Sequence, residues 1–305
     1  MAAYRSNFGD LLEPGFRKIF DDRYEEIPQV FPQIFKVETS SKQDEKDSAV
    51  TGFGYFATTG EGEQVNYEDP LQMYDVTYTH GKYSKGFKIS EEMYEDDLYR
   101  VMNRKPAQLA LAARRTAEYF AASVFNNAFS TSYTGGDGVP LASTLHPRSD
   151  GGTAQSNANA SGVVLDETNL DTGILAFENQ LDDKGMKIGT EANILLVPRA
   201  LRKTASILLE SAGRPDTADN DINYYRGLGI KVISWHYLTS STAWFLLDSG
   251  THLITWFWRV KPEFKQDNAF DTGMALYKSR MRFSKGFSDW RGVWGSKGDA
   301  SAYAS

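Results

Sequence analysis

The residues that could carry out chemistry are concentrated in one segment, 135–152, which reads GGDGVPLASTLHPRSDGG. It contains His146, one of four histidines in the chain, together with serine, threonine and aspartate. Ser143 or Thr144 with His146 would supply the nucleophile and base of a hydrolase. Residues two or three positions apart in a turn seldom reach triad geometry, and the chain has no GxSxG nucleophile elbow. We therefore predict a structural segment and no catalytic residue, and keep a hydrolase using His146 as an alternative.

Other candidates for metal, calcium or nucleotide binding are weak. No two histidines are spaced i, i+4, no HExxH motif occurs, and the chain has no cysteine. One acidic loop lacks the glycine and terminal glutamate of a calcium-binding loop, and no GxGxxG or P-loop motif is present. The sequence therefore predicts neither a metal site nor a cofactor. The residues considered are His80, His236, His252, Asp216, Asp219, Asp221, Gly227 and Gly229.

A group of basic residues lies near two tryptophans towards the end of the chain. Arg280 and Arg282 occupy alternate positions of a predicted strand and so project to one face. The favoured interpretation is a solvated strand face or ion pairs between subunits. A DNA-facing patch is the lesser alternative, because the net charge is −7 and the pI is about 5.3. The other members are Lys285 and Arg291, beside Trp290 and Trp294.

Length and composition are those of an ordinary folded protein. The 305 residues are 41% hydrophobic and 24% charged, enough for one large or two moderate domains. The absence of cysteine excludes disulfides and thiolate catalysis. No apolar run approaches the ~18 residues of a membrane span, and the first residues lack the apolar block of a signal peptide. We predict a protein made in the cytosol, with no membrane partner.

The N-terminal part of the chain is expected to have little core of its own. Apolar residues from Phe8 to Phe20 fit a short amphipathic helix interrupted by Pro14 and Gly15. The polar stretch 36–50 predicts an exposed connection. Such an arm would be stable mainly when laid on something else.

Residues 51–89 are predicted to form a two-stranded excursion. Turn-forming residues lie at 60–63, and apolar and polar side chains alternate over 74–80. A hairpin this polar cannot bury two faces within one subunit. It is therefore either an ordinary surface hairpin or an extended loop that packs on a neighbouring chain.

The remainder of the chain alternates helix and strand. Ser90 is the predicted N-cap of a helix that Pro106 interrupts or kinks, and the spacing of apolar residues then predicts a long helix over 107–129. This order indicates an α+β fold. Further predicted helices are 170–181 and 198–211, predicted strands are 193–197, 230–233, 243–247, 253–260 and 274–283, and loops are expected at 150–163 and 213–223.

Three segments resemble a known family: ISEEMYEDDLY at 89–99, DGVPLASTLHPRSDGG at 137–152 and FSKGFSDWRGVWGS at 283–296. They are similar to the major head (capsid) subunits of tailed phages, especially the Mu-type head subunit family. The resemblance implies the α+β capsid fold called Hong Kong 97-type, and no enzymatic activity. It divides the chain into an N-terminal arm at 1–45, an extended loop at 46–88, a peripheral domain with a long spine helix at 89–164, an axial domain at 165–250 and return strands of the peripheral domain at 251–305.

By this resemblance the protein is structural and self-assembles into an icosahedral head that encloses the double-stranded DNA genome of a tailed phage. The implied partners are copies of the same chain in hexamers and pentamers, a separate scaffolding protein, a portal and, in some members, a decoration protein. DNA would be packaged without specific recognition, in a virion assembled in the host cytoplasm. Some members crosslink a loop lysine to a neighbour's asparagine; Lys82 and Lys85 lie in the loop region, but we expect no crosslink. The alternative with a similar fold is an encapsulin-like shell around cargo enzymes.

Overall fold

The computed structural model of the chain describes residues 8–70, 72–90, 92–93, 96, 101–148, 151–213, 222–269 and 274–303. The helices are α1 (Phe8–Glu26), α2 (Val101–Asn126), α3 (Glu167–Glu178), α4 (Arg202–Glu210) and α5 (Tyr224–Gly227), with 3-10 turns at Phe31–Gln33 and Arg199–Leu201. The strands are β1 (Lys36–Thr39), β2 (Asp44–Val50), β3 (Gln72–Thr79), β4 (Gly81–Ile89), β5 (Ile194–Val197), β6 (Lys231–Ser234), β7 (Trp244–Leu247), β8 (Ile254–Ala269), β9 (Met274–Phe287) and β10 (Val293–Ser296). Within these ranges no helix is both long and apolar enough to cross a membrane.

The described strands form two four-stranded sheets and one two-stranded ribbon. The first sheet has the order β1-β8-β9-β4, and β4 runs antiparallel to β9 with Gly81 opposite Phe283. The second sheet has the order β10-β7-β5-β6, in which β5 is parallel to β6 and antiparallel to β7. The ribbon pairs β2 with β3.

One structural unit comprises residues 1–45, 78–121 and 256–285. In its core the rings of Phe16 and Tyr277 lie 5.2 Å apart, and those of Phe20 and Phe264 lie 5.5 Å apart. Buried alanines of α2, such as Ala110, belong to the same unit and let neighbouring elements approach closely. The arm helix α1 therefore packs on strand and helix residues of its own chain. These residues bury the apolar side of α1, which has no core of its own.

The same unit also fixes the end of the arm. The Glu118 carboxylate on α2 accepts hydrogen bonds from the backbone N–H groups of Val30 (2.8 Å) and Phe31 (3.4 Å). The Phe31 ring then packs 4.7 Å from that of Trp256. A buried carboxylate at the start of a short helical turn satisfies backbone donors that the turn leaves free.

The other unit comprises residues 46–77, 122–255 and 286–305. Its core surrounds strand β5, whose four apolar residues are all buried, as the uninterrupted sequence ILLV predicts. Trp244 and Trp294 pack with ring centroids 4.7 Å apart beneath α3. Helix α3 comes this close because Gly173 faces both indoles, where an added Cβ would already be tight at 3.3–3.4 Å.

Two predictions about the N-terminal part are wrong. Pro14 and Gly15 do not interrupt α1, which runs on to Glu26. Proline removes one backbone donor, and the burial of Phe16 and Phe20 on the same helix outweighs that loss. The polar stretch 36–50 is also not a simple connection, because it contains β1 and β2. No described side chain of either strand is buried, so their pairing with β8 and β3 orders them without much side-chain burial.

The predicted excursion is confirmed in kind but has different limits. Its two strands are β2 and β3, which flank residues 51–70, whereas β4 belongs to the four-stranded sheet. Lys82 and Lys85 accordingly lie on that sheet and not on the exposed loop. Hydrophobic alternation alone could not reveal that two consecutive strands, β3 and β4, join different sheets.

Most of the other predicted elements are confirmed. The predicted interruption at Pro106 is wrong, because Pro106 lies inside the continuous helix α2. At the predicted N-cap, the Ser90 hydroxyl accepts a hydrogen bond from the Met93 backbone N–H at 3.3 Å. Helix α3 begins three residues earlier than predicted, at an Asp166 cap that accepts from the Asn169 N–H. The acidic residues Asp216, Asp219 and Asp221 lie outside the described residues.

Candidate functional site

His146 is completely buried, and both of its ring nitrogens have polar partners. Nδ1 lies 2.7 Å from Asp137 Oδ2, and Nε2 lies 3.0 Å from Asn157 Oδ1. The imidazole stacks on the Trp290 ring at 4.4 Å, and its backbone pairs with Gln155. The histidine is therefore held on both edges and on one face.

The orientation of Asn157 determines which hydrogen bond His146 makes. The Asn157 amide nitrogen donates to the carbonyl oxygens of Leu141 (2.7 Å) and Val293 (3.3 Å), so Oδ1 must face the other way. This oxygen accepts from the Ser143 backbone N–H at 2.8 Å and from His146 Nε2. Both ring nitrogens of His146 therefore face acceptor oxygens, one from the Asp137 carboxylate and one from the Asn157 amide.

This geometry resembles two members of a catalytic triad but leaves no place for the third. Asp137 takes the position of the orienting acid beside Nδ1. A nucleophile would have to lie at Nε2, where the Asn157 amide lies instead. The Ser143 hydroxyl accepts a local hydrogen bond from the Leu145 N–H, and the His146 side chain is 0% exposed. The segment therefore ties backbone segments together, and the hydrolase alternative is not favoured.

Sequence reasoning found His146 but not its two partners. Asp137 lies nine residues before it and Asn157 eleven residues after it, a spacing that matches no periodic element. The turn residues of the segment were the available signal, because they bring distant positions together. Ser149 and Asp150 of this segment lie outside the described residues.

A second buried polar cluster centres on Arg291, on the same structural unit. Its guanidinium pairs with Asp289 at 2.9 Å and with Asp183 at 3.1 Å, and donates to the Leu181 carbonyl oxygen. Burial opposes the charge, but Asp289 and then Asp183 outweigh burial, so that the pKa of Arg291 is raised above its ordinary value. Gln180 supports the same strand by accepting from the Gly292 N–H.

The predicted basic group is thus not one solvated patch. Arg291, Trp290 and Trp294 are buried, and Arg280 pairs with Glu263 of its own chain. Lys285 lies over the Phe120 ring at 5.7 Å, and burial lowers the pKa of Lys285. Arg280 and Arg291 make ion pairs within the chain and Lys285 packs on an aromatic ring, whereas the favoured interpretation was a solvated strand face or ion pairs between subunits. The solvated face is therefore wrong for Arg291, and ion pairs between subunits stay a prediction.

The remaining histidines have structural surroundings. His80 is buried between the Ser40 and Ser284 hydroxyls, each 3.0 Å from one ring nitrogen. His252 Nδ1 accepts from the Ile254 backbone N–H, and His236 packs on Tyr237. Within the described parts of the chain, no group of three His, Asp or Glu side chains could hold a metal ion.

The loop at 51–70, within the predicted extended loop at 46–88, exposes several large apolar side chains. From here on, the extended loop means residues 51–70. Apart from a turn at 61–62, it has no regular structure. The Phe56 side chain is 99% exposed, and several more large apolar side chains are more than half exposed. Isolated exposed apolar residues are common, but a run of them marks an interaction surface. The others are Phe53, Tyr55, Val65 and Tyr67.

One carboxylate orders the base of the extended loop. Glu68 accepts from the Gly54 backbone N–H across the loop at 2.8 Å and pairs with Lys184. The hydrogen bond from Lys184, and next that from Gly54, hold the pKa of Glu68 below its ordinary value. The two sides of the loop are therefore joined at its base while its tip stays exposed.

Comparison with known proteins identifies this architecture. The sequence matches the family described as phage capsid protein over residues 74–296. No curated protein matches it. The capsid structure of the cyanophage P-SCSP1u is similar with a TM-score of 0.57 at 13% identity, covering 88% of this chain and 87% of that one. The capsid of a native GTA particle is similar with a TM-score of 0.54 at 14% identity, covering 88% and 90%.

A third similar structure is the capsid of bacteriophage JBD30 decorated with minor capsid protein trimers. Its TM-score is 0.53 at 14% identity, and the match covers 70% of this chain and 92% of that chain. At such identities the likeness shows the fold, and the fold is the α+β type of phage capsids. Because the family match spans most of the sequence, the chain belongs to the phage capsid protein family. It is a structural major capsid protein of the Hong Kong 97-type, as the sequence predicted.

Proposed function

We propose that this chain forms the head of a tailed phage by assembling, through hexamers and pentamers, into an icosahedral shell around double-stranded DNA. The observation that carries the proposal is the extended loop, whose aromatic side chains have no core to enter in a single subunit. Burying them against a neighbour would stabilise assembly by roughly 25 cal/mol for each Å² of apolar surface removed from water. Many such contacts repeated by symmetry close a shell.

The two structural units support an assignment to the peripheral and axial domains of a capsid subunit. We assign the unit that contains α1, most of α2 and the long strands β8 and β9 to the peripheral domain. The second unit contains β5, β6, β7 and β10, and we assign its described residues between 165 and 250 to the axial domain around the capsomer centre. Residues 51–70 lie within the 46–88 segment and contain its exposed aromatic side chains.

The remaining partners follow from charge and from the relatives. A net charge of −7, with Arg280 and Arg291 engaged in ion pairs, supports a wall that encloses DNA without binding it specifically. We propose a separate scaffolding protein and a portal as assembly partners in the host cytoplasm. The JBD30 capsid carries minor capsid protein trimers, which supports a decoration protein as a further partner.

Electron microscopy of the chain expressed with its scaffolding protein tests the proposal. We expect closed shells from the wild-type chain. Phe56→Ser should leave unassembled subunits, because it removes the most exposed apolar side chain of the loop. Tyr133→Ser is the matched control, since Tyr133 is also exposed, at 59%, but lies outside the extended loop. A wild-type chain that stays monomeric with scaffold present would overturn the proposal.

The contents of the shells separate the alternatives. Nuclease-resistant double-stranded DNA in particles from a phage lysate supports the head, whereas a cargo enzyme supports an encapsulin-like compartment. A hydrolytic activity that disappears in His146→Ala would restore the third alternative.

A further inference from the structure

Charge is distributed unevenly between the two structural units. Residues 1–45, 78–121 and 256–285 contain 21 basic and 18 acidic residues, a net charge of +3. The remaining residues contain 12 basic and 22 acidic residues, a net charge of −10. Strands β4, β8 and β9 alone contain ten basic and two acidic residues. The net charge of −7 for the whole chain therefore coexists with a strongly basic sheet.

The pairing of β4 with β9 places most of these charges on one face of the sheet. Tyr83 of β4 and Tyr277 of β9 face the core, where their rings contact those of Phe120 and Phe16. Because side chains alternate along a strand, the even-numbered residues of β4 and β9 lie on the opposite face, which we call the outer face. The basic residues at these positions are Lys82, Lys88, Lys278, Arg280 and Arg282.

Strand β8 adds to the same outer face. Glu263 pairs with Arg280, so the odd-numbered residues of β8 near Glu263 also lie on the outer face. Lys261 and Lys265 are two residues away on either side and are exposed. Glu263 lies 3.7 Å from Lys265 as well, so this one carboxylate offsets the charge of two basic neighbours.

The rest of the positive charge on the outer face is not offset in this way. Among the described residues, no ion pair includes Lys82, Lys261, Lys278 or Arg282. Lys82 lies directly opposite Arg282, a placement in which like charges repel. Burial, and next Arg282, lower the pKa of the adjacent His80, as an excess of positive charge would. A bound polyanion would relieve this repulsion.

The outer face suits a nucleic acid better than an acidic protein. Protein interfaces are built around large apolar side chains. Among the described residues of β4, β8 and β9, no large apolar side chain is exposed. A duplex needs only positive charge along its backbone, and it carries one negative charge for about every 1.7 Å of its axis. Lys82 and Lys88 are about 20 Å apart along β4, the length of roughly six base pairs.

We propose that the outer face of β4, β8 and β9 binds the phosphate backbone of double-stranded DNA without reading its sequence. Lys82, Lys278 and Lys261 donate to phosphate oxygens from three neighbouring strands, and Arg282 supplies a fourth contact. The inference rests on the proposed function, because a shell that encloses the genome brings duplex DNA close to its subunits. It adds the surface of the subunit that contacts the phosphates.

The salt dependence of DNA binding by unassembled subunits tests the proposal. The probe is a fluorescently labelled duplex of about 24 base pairs, and the measurement is anisotropy at about 50 and 200 mM salt. Four phosphate contacts should raise the Kd about 150-fold between these concentrations. The triple variant Lys82→Gln, Lys261→Gln, Lys278→Gln keeps one contact, so its Kd should rise only about 3–4-fold, from a value at low salt at least about tenfold weaker.

A second triple variant separates the outer face from net charge. Lys18→Gln, Lys187→Gln, Lys203→Gln removes three exposed lysines elsewhere and changes the net charge equally. It should keep the salt dependence of the wild-type chain. Equal loss in both triple variants would overturn the proposal, as would a wild-type chain that does not bind the duplex. Polyglutamate of equal total charge that displaces the duplex as well as unlabelled DNA does would also overturn it, in favour of an acidic protein partner.

Shell formation distinguishes failure of this contact from failure of the proposed function. Electron microscopy should show closed shells for the wild-type chain and for both triple variants with scaffold present. Wild-type chains that form no shells would overturn the shell function. Wild-type shells together with DNA binding that the outer-face variant leaves unchanged would overturn the phosphate contact alone. Because all six lysines are exposed, circular dichroism of the unassembled subunits should be the same for each protein.

Discussion

Replacing Asn157 by leucine tests the structural role of the 135–152 segment. The two side chains have similar volumes, so the change creates neither a large cavity nor a severe clash. It removes every hydrogen bond of a side chain that is 0% exposed. Three buried groups lose their partner: the Ser143 N–H, the Leu141 carbonyl and His146 Nε2. The Val293 carbonyl keeps its second donor, Gln180, at 2.9 Å.

The expected cost follows from the number of buried groups left unsatisfied. Each such group costs about 1–3 kcal/mol, and neighbouring losses are not additive, so we expect the free energy of unfolding to fall by about 3–5 kcal/mol. That is a large part of the ~5–15 kcal/mol that stabilises a typical domain. The variant should therefore accumulate as misfolded or aggregated subunit before any shell can form.

Urea unfolding of unassembled subunits, followed by tryptophan fluorescence, measures the effect. Trp290, one of six tryptophans, stacks on His146, so part of the fluorescence signal comes from this cluster. Asn159→Leu is the control, because Asn159 lies two residues further on and is partly exposed. A difference below about 1 kcal/mol between the two variants would refute the argument that the buried amide holds the segment together.

Two further predictions concern the other buried polar groups. Arg291→Met removes the buried cation that pairs with Asp183 and Asp289 and should cost about 3–5 kcal/mol in urea unfolding. Lys285→Met should cost much less, and equal costs would contradict this. Burial, and next Arg282, lower the pKa of His80 from its ordinary 6.5. Just below pH 6.5 the imidazole is therefore protonated in the unfolded chain but still neutral in the folded chain. The Tm should therefore fall as the pH drops through about 6.5 towards the lower folded pKa, less so in His80→Gln; the same pH dependence in both proteins would count against it.

Much of the secondary structure could be predicted from local pattern. The run ILLV at 194–197, the long strands after residue 253 and the alanine-rich helix through Phe120 all have a strong period or propensity. The failures at Pro14 and at residues 36–50 share a cause. In both places contacts with distant parts of the chain, Tyr277 in one and strand β8 in the other, outweigh a local signal for breaks or loops.

The sequence by itself determined the class of the protein. The absence of cysteine excluded thiolate chemistry, the missing motifs gave metal and nucleotide binding only weak support, and short segments indicated a phage shell subunit. What only the tertiary structure decided is which side chains meet. Asp137, His146 and Asn157 come together because turns and strand pairing fold distant residues onto one another. Such contacts have no sequence period. Only the fold therefore shows that the segment at 135–152 holds backbone segments together through buried hydrogen bonds and does not form an active site.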